Sequence, residues 1–316
     1  MPYRPERCSR FDADSPLPDR GGFSMEQAPP SDDEKLLERL NRLSLTRSFT
    51  PQIDVDWSQC TTDAEFAELY PAWSLLHGTG LDTGWGERER VTFVKYQQMN
   101  LMSFTGLLER HAIGALARLY DLDPAEPFSE YVGHFIKEEI YHHMLFVRAV
   151  GLIQATVTDH PPLPTADADR LLRRIFALAA RLPGRRLQTT LVFTVLRFAE
   201  QVTIYAHQMV EERLPRRESL IAQVWAFHAL DESRHLAFDA MILERNRVHQ
   251  MLAGPMRLLA AACCVLLSLR LNANELWVAN RLGVPLRVWQ IPSLMRRTQA
   301  PFKRRVFGLL ASLKAA

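Results

Sequence analysis

Cysteine is scarce: Cys8, Cys60, Cys263 and Cys264 are the only four in 316 residues, and no Cys-x-x-Cys spacing occurs among them. An adjacent pair is a poor disulfide, so neither a disulfide framework nor a thiolate metal site is expected, and the reducing cytoplasm is the expected compartment. Long apolar runs are also missing. The longest, Leu258 to Leu269, is twelve residues between Arg257 and Arg270, short of the roughly 20 that span a bilayer. It reads as a core helix, and no transmembrane segment is expected. The first twenty residues hold no apolar run, so no signal peptide is expected. Glycine-rich phosphate loops and nucleotide fingerprints are absent, which excludes a built-in flavin or nicotinamide site. There is no excess of one charge, the net being +2. The balance hides an asymmetry, because ten Arg or Lys and a single acid, Glu275, lie from Met251 onward. The cluster Arg287, Arg296, Arg297, Lys303, Arg304 and Arg305 reads as a solvated surface or as a dock for an acidic carrier protein or anionic lipid. With no recognised module, nucleic acid is not an expected partner.

What is there is apolar residue in quantity, 47% of the chain, enough for a sizeable core. Residues 1–32, rich in Pro, Asp, Arg and Gly, are expected to be a disordered tail. Residues 33–86 read as short helices and an ordered wrapping arm, the extended stretch being Phe49 to Trp57. Residues 87–251 read as a helical bundle, with helices over Glu87–Tyr120, Glu126–Leu152, Asp167–Leu182, Arg185–Leu214 and Arg217–Met251. The stops are Asp121 to Pro124, Pro183-Gly184, Pro215 and Pro255, and Thr165 is read as a helix cap. Residues 252–316 are expected to add two or three basic helices packed on the outside. Thr189 to Leu196 is rich in β-branched residues and imitates a strand, but the length of the surrounding segment favours helix.

The chemistry is concentrated in Phe227 to Phe238, FHALDESRHLAF. His228, Glu232 and His235 are spaced four and three apart, so they share one helix face. Phe227, Leu230 and Leu236 are expected to bury the helix around it. A carboxylate and two imidazoles converging from an apolar surface are costly unless a cation joins them. One Glu-x-x-His triplet alone is as well explained by a solvated helix face. Here a second occurs, Glu139 to His142, and two isolated glutamates, Glu109 and Glu200, sit in apolar helical surroundings. One Glu from each of two helices with Glu-x-x-His from each of two others is the carboxylate di-iron arrangement of a ferritin-like four-helix bundle. The spacings, 30 residues from Glu109 to Glu139 and 32 from Glu200 to Glu232, each hold a helix, a turn and part of the next helix. The expected fold is therefore all-α. The candidate metal ligands are Glu109, Glu139, His142, Glu200, His228, Glu232 and His235. Glu138, Asp231 and Asp239 are candidates for orienting them. His111, His134, His143 and His207 are read as outer or surface groups. Phe104, Leu108, Phe135, Phe193, Leu196 and Phe227 are expected to wall an apolar cavity, with Tyr141 and Tyr205 lining it.

With these residues placed, the chain resembles the p-aminobenzoate N-oxygenase family of non-haem di-iron oxygenases over roughly 49–245. The resemblance is strongest at HALDESRH (228–235), where a His stands four residues before the Glu of the final Glu-x-x-His. EEIYHH (138–143), FAEQ (198–201) and the arm SLTRSFTPQIDVDW (44–57) also resemble the family. It implies two Fe ions on the seven ligands, O2 as co-substrate, and monooxygenation of a small, possibly aromatic substrate. N-oxygenation of an aryl amine is the first expectation and C-hydroxylation of a free or carrier-bound acid the second. A storage or radical-generating di-iron protein and a metal-free helical interaction protein are the rivals. An external electron donor and a homodimer complete the expected partners.

Overall fold

A computed structural model of the chain describes residues 31–47, 49–120, 128–157, 159–214, 218–246 and 250–315. The expected N-terminal tail, the stop at Asp121 to Pro124 and Pro215 lie outside these residues. Eleven α-helices and no strand occur among the described residues. Three come first: α1 (Asp32–Thr46), α2 (Pro51–Asp54) and α3 (Asp63–Trp73). Capping boxes start α1 and α3: Ser31 and Thr62 accept from the backbone of Glu34 and Glu65, whose side chains reach back, satisfying orphan N–H groups at both ends of the motif. The arm from Phe49 to Trp57 is not fully extended as expected. Pro51 sits at the first position of a single helical turn, where its missing N–H costs nothing.

Then come α4 (Glu87–Tyr120), α5 (Ser129–Gln154), α6 (Ala166–Arg181), α7 (Arg185–Arg213) and α8 (Leu220–Arg245). Thr165 precedes α6 without the expected side-chain cap. Gly184, at φ +83, makes the left-handed bend between α6 and α7. The helix α8 stops six residues before the expected Met251, with Asn246 as its C-terminal boundary. The side-chain amide of Asn246 turns away to donate to Arg186 O and Thr190 Oγ1 on α7. The chain ends in α9 (Gln250–Arg281), a 3₁₀ turn, α10 (Ile291–Arg297) and α11 (Pro301–Ala315). Pro255 does not break the chain as expected. It lies inside α9 near its N-terminal end, where it removes one backbone hydrogen bond.

The bundle that places the site is α4 against α5 and α7 against α8, with α9 across α4 and α7. The core of α4 is buried on every face from Val91 to Met102, because α3, α5, α6, α7 and α9 surround it. Its polar residues there are matched across helices. Gln97 Nε2 donates to Trp73 O and Glu275 Oε2, and Asn100 donates to Leu271 O while accepting from Asn274. Lys303 of α11 closes an ion pair with Glu275, and Phe302 stacks on Trp73 at 4.3 Å. The C-terminal helices are therefore embedded in the core rather than laid on its outside. The basic cluster is dispersed accordingly. Lys303 is buried, Arg305 meets Gln208 and Glu212, and Arg297 and Arg304 donate to Thr79 O and Thr298 O.

One described helix, over Leu252–Arg281, is long and apolar enough to cross a membrane by length and composition. Its Cys263, Cys264, Leu267 and Leu271 are buried against the bundle, while Leu252, Leu258 and Leu266 face outward. Burial lifts the Cys264 thiol to about 12, which keeps it protonated and unreactive.

The loop before α4 is locked to the C-terminal segment. Gly78 has φ +76, and the Cβ of any other residue would fall 2.5 Å from the Gln299 side chain. Gln299 N in turn donates to His77 O. Gly78→Ala is expected to cost about 1–2 kcal/mol for the left-handed backbone alone. Denaturant unfolding should show this as a lowered midpoint at unchanged slope; a midpoint equal to the parent's would mean the turn relaxes freely.

Candidate metal centre

Four helices bring the candidate residues to one buried point. The ligand-bearing stretch of α8 is held inward by Ile221, Val224, Trp225, Phe238 and Ile242, all below 5% exposed. This differs from the expectation that Phe227, Leu230 and Leu236 would bury it. Leu230 is 41% exposed and Phe227 and Leu236 are half-buried. They lie on the flank of the face carrying His228, Glu232 and His235.

Two overlapping groups of donor atoms converge. The first is Glu109, His142, His228 and Glu232, and the second Glu139, His142, Glu232 and His235; within each group the donors lie within 4.8 Å of one another. His142 and Glu232 belong to both. Of the seven candidates, Glu200 is outside both groups. It is nevertheless 5% exposed. It faces the fully buried Asp239, and burial holds both carboxyls well above the usual range, so the two are placed to share a proton.

The imidazoles are aimed by a cross-braced pair of carboxylates. His235 Nε2–H of α8 donates to Glu138 Oε2 of α5 at 3.0 Å, and His142 Nε2–H of α5 donates to Asp231 Oδ2 of α8 at 3.2 Å. Each brace is the neighbour of a candidate ligand on its own helix, Glu138 beside Glu139 and Asp231 beside Glu232. With Nε2 engaged, both rings present Nδ1 to the cluster: His235 Nδ1 is 3.2 Å from Glu139 Oε1, and His142 Nδ1 is 3.5 Å from Glu232 Oε1. His228 is turned the other way. Its Nε2 lies 3.0 Å from both Glu109 Oε1 and Glu232 Oε1, and its Nδ1 has no hydrogen-bond partner. Phe135 stacks on His235 at 3.7 Å, and Phe49 of the arm stacks on His142 at 5.9 Å.

Arg234 was not foreseen. Its guanidinium donates to Glu138 Oε1 at 2.8 Å and forms an ion pair with Asp231, so one buried cation joins the two braces. Its spacing, three residues after Asp231, was a local signal for that pair. Nothing local pointed to Glu138, which comes from another helix. Tyr131 was missed as well. It is fully buried and its hydroxyl is without a partner. It stands eight residues before Glu139, which places it on the same face of α5. Tyr141 and Tyr205, by contrast, are only half-buried and do not line the apolar cavity behind the site. His143 turns its Nδ1 to Gly106 O at 2.9 Å, so it does not compete with His142. His111 is held by Asp169.

The electrostatics ask for positive charge. Burial, then Glu139 and Glu232, hold Glu109 well above the usual carboxylate range. Burial, then Asp239, Glu232 and Glu139, do the same to Glu200. Glu232 goes the other way: burial opposes it, but His228, His235 and His142 pull it down to about 2. Burial lowers His228, whereas for His142 the Asp231 bond, Glu139 and Glu232 outweigh burial and raise it. Crowded anions beside imidazole nitrogens without hydrogen-bond partners fit a di-metal pair in chemistry and in donor count. Hard carboxylate oxygens with borderline imidazoles suit iron or manganese.

Among solved structures, the chain is similar to R2-like ligand-binding oxidase with an aerobically reconstituted Mn/Fe cofactor, at TM-score 0.54 and 16% identity over 93% of this chain and 96% of that one. A variant of that oxidase with an anaerobically reconstituted Mn/Fe cofactor gives TM-score 0.53 at 16% identity, covering 93% and 97%. At such identity these show a shared fold. Uncharacterized proteins of Mycobacterium tuberculosis and Mycobacterium bovis are 23% identical over 230 residues, 71% of this chain. The match spans 64% of those relatives' own length. The sequence model described as p-aminobenzoate N-oxygenase AurF matches residues 30–279, so the chain belongs to the p-aminobenzoate N-oxygenase AurF family.

Proposed function

We propose that the cluster holds two Fe ions on Glu109, Glu139, His142, Glu200, His228, Glu232 and His235, and that the enzyme N-oxygenates an aryl amine. The observation that carries the metal assignment is the pair of converging groups sharing His142 and Glu232, with the Nδ1 atoms of His142 and His235 directed inward. A self-paired cluster in a metal-free interaction protein would not leave these buried atoms without hydrogen bonds. Membership of the family supports the choice of substrate. When bound, the metal pair supplies reduction of O2 and oxygen transfer.

The protein's own part is derived from the chain. Glu138 and Asp231 fix the tautomers of His235 and His142 by accepting from Nε2, which leaves Nδ1 free to ligate. Four glutamates balance two divalent cations, so the loaded site is neutral before the flanking braces are counted. Of the two charges on the braces, Glu138 and Asp231, Arg234 offsets one, and the N–H groups of His235 and His142 face the same carboxylates. Phe104, Leu108, Leu101 and Val202 wall an apolar space on the α4–α7 side, of the kind that shields a substrate body from water. C-hydroxylation of an acid, free or on a carrier, is the second reading, supported by arginines at the mouth of the groove described below.

His228 adds a neutral donor to one metal position only. His228→Ala is expected to keep one ion, lose roughly tenfold or more in affinity for the other, and lose most turnover. Full metal content with full turnover would remove its role as a ligand. The reaction itself is tested by incubating the iron-reconstituted protein and a reductant with a panel of aryl amines and carrier-linked acids, read by mass spectrometry. A product heavier by oxygen on nitrogen is expected; oxygen on carbon alone would favour the second reading.

A further inference from the structure

A groove of about 650 Å³ opens between α7, the C-terminal end of α8, α9 and α11. Its lining includes Thr194, Arg197, Gln201, Met256 and Arg257. Arg197 and Arg257 are exposed, and neither has an acidic partner among the described residues. Behind the groove, a second cavity of about 30 Å³ lies among Leu101, Phe104, Leu108, Leu271 and Val306. Thr105, one turn before Glu109 on the same face of α4, and Ala199, next to Glu200, also line it. None of the seven candidate ligands lines the inner cavity, but it runs beside the stretches of α4 and α7 that carry Glu109 and Glu200. One residue belongs to both linings, Phe198, which is 6% exposed.

The inner cavity contains an unexplained polar atom. Ser268 lines it at 4% exposure, and its Oγ has no hydrogen-bond partner among the described residues. A helical serine ordinarily bonds the carbonyl one turn back. A buried hydroxyl held off its own helix and facing an apolar space is a feature expected of a binding pocket, in which a few placed polar groups orient an apolar body.

We infer that the substrate is an amphiphile with an anionic head, held by Arg197 and Arg257 at the groove while its apolar body passes Phe198 and its far end lies at the metal centre. This rests on the function proposed above and narrows it. Two guanidiniums without acidic partners recognise a carboxylate or phosphodiester by charge and by fork geometry. The body must span about one helix diameter, roughly 10 Å. A space of about 30 Å³ accepts only a water or two, so the body fits once Phe198 turns to another rotamer and joins the two spaces. Phe198 thus sets the width of the accepted body, and the Ser268 hydroxyl meets a polar substituent along it. The head is either the carboxylate of a free acid or a phosphate ester.

The test is calorimetric titration of the full chain, with and without iron, using dodecanoate, dodecanol and dodecyl phosphate. At least one anionic probe should bind tenfold or more tightly than dodecanol. Preference for dodecanoate assigns the carboxylate head and preference for dodecyl phosphate the phosphate head. Arg197→Gln with Arg257→Gln should abolish the preference while metal content and helical circular dichroism stay at parent values. Phe198→Ala should tighten binding several-fold, and Phe198→Trp should weaken it tenfold or more. Equal binding of alcohol and anions, a preference that survives the double arginine change, or indifference to both Phe198 changes would overturn the inference. Because the metal-free chain is titrated too, a protein that binds anions but no iron removes the proposed function alone. One that turns over amines but shows no head preference removes this inference alone.

Discussion

Glu232→Ala is expected to strip metal from both positions at once. Glu232 is the carboxylate common to the two converging groups. Its Oε1 lies 3.0 Å from His228 Nε2 and 3.5 Å from His142 Nδ1, and its Oε2 lies 3.8 Å from His235 Nδ1. Among the described residues no other carboxylate reaches all three imidazoles, so nothing replaces it when it is truncated. Removing one charge from a buried, mutually neutralising set costs about 3–5 kcal/mol, or roughly two to three and a half powers of ten in affinity. Glu109→Ala and Glu139→Ala each touch a single group and should empty mainly one position. Glu200→Gln should do least to affinity, since Glu200 lies outside both groups and opposes Asp239. Elemental analysis of the four variants after anaerobic loading gives this order. A Glu232→Ala protein that retained as much metal as Glu200→Gln would contradict the shared role.

Arg234→Met is expected to be the most destabilising change outside the ligand set. Arg234 is 4% exposed and, among the described residues, is the only guanidinium in contact with both Glu138 and Asp231. Burial raises Glu138, but His235 and Arg234 together bring it to about 2. Without Arg234, two buried carboxylates remain with only imidazole N–H groups against them. Breaking such a pair costs about 3–5 kcal/mol. At about 2 °C per kcal/mol for a chain of this size, the melting temperature should fall by roughly 6–10 °C. Metal affinity should fall as well, by about 10–100-fold, because the braces no longer hold His142 and His235. Arg234→Lys keeps the charge but loses the fork, and should lie between parent and Arg234→Met. A melting temperature unchanged in Arg234→Met would mean the braces are satisfied without it.

Much of this centre was legible because its signals are local. Glu-x-x-His repeated at bundle spacing places carboxylate and imidazole on one face whatever the neighbours are, and α4 runs over the expected Glu87–Tyr120 because apolar periodicity continues unbroken up to Asp121. What was not legible depends on partners distant in sequence. Leu230 looks like a core residue in FHALDES, yet it faces outward, because the helices packed on α8 lie against Trp225 and Phe238 instead. Pro255 looks like a stop, but the tertiary burial of α9 outweighs one lost hydrogen bond. Lys303 looks like part of a solvated basic patch, and only the fold reveals Glu275 opposite it. The cross-bracing of Glu138 to His235 and Asp231 to His142 joins residues 97 and 89 positions apart, a register that no single-helix pattern encodes.

The most direct measurement is the number of ions bound per chain, by inductively coupled plasma mass spectrometry, after anaerobic loading of the full-length protein with Fe(II) and removal of excess. Two per chain in the parent and fewer than one in Glu232→Ala is the predicted result. A parent protein that retains no metal, or a Glu232→Ala variant that retains two, would contradict it.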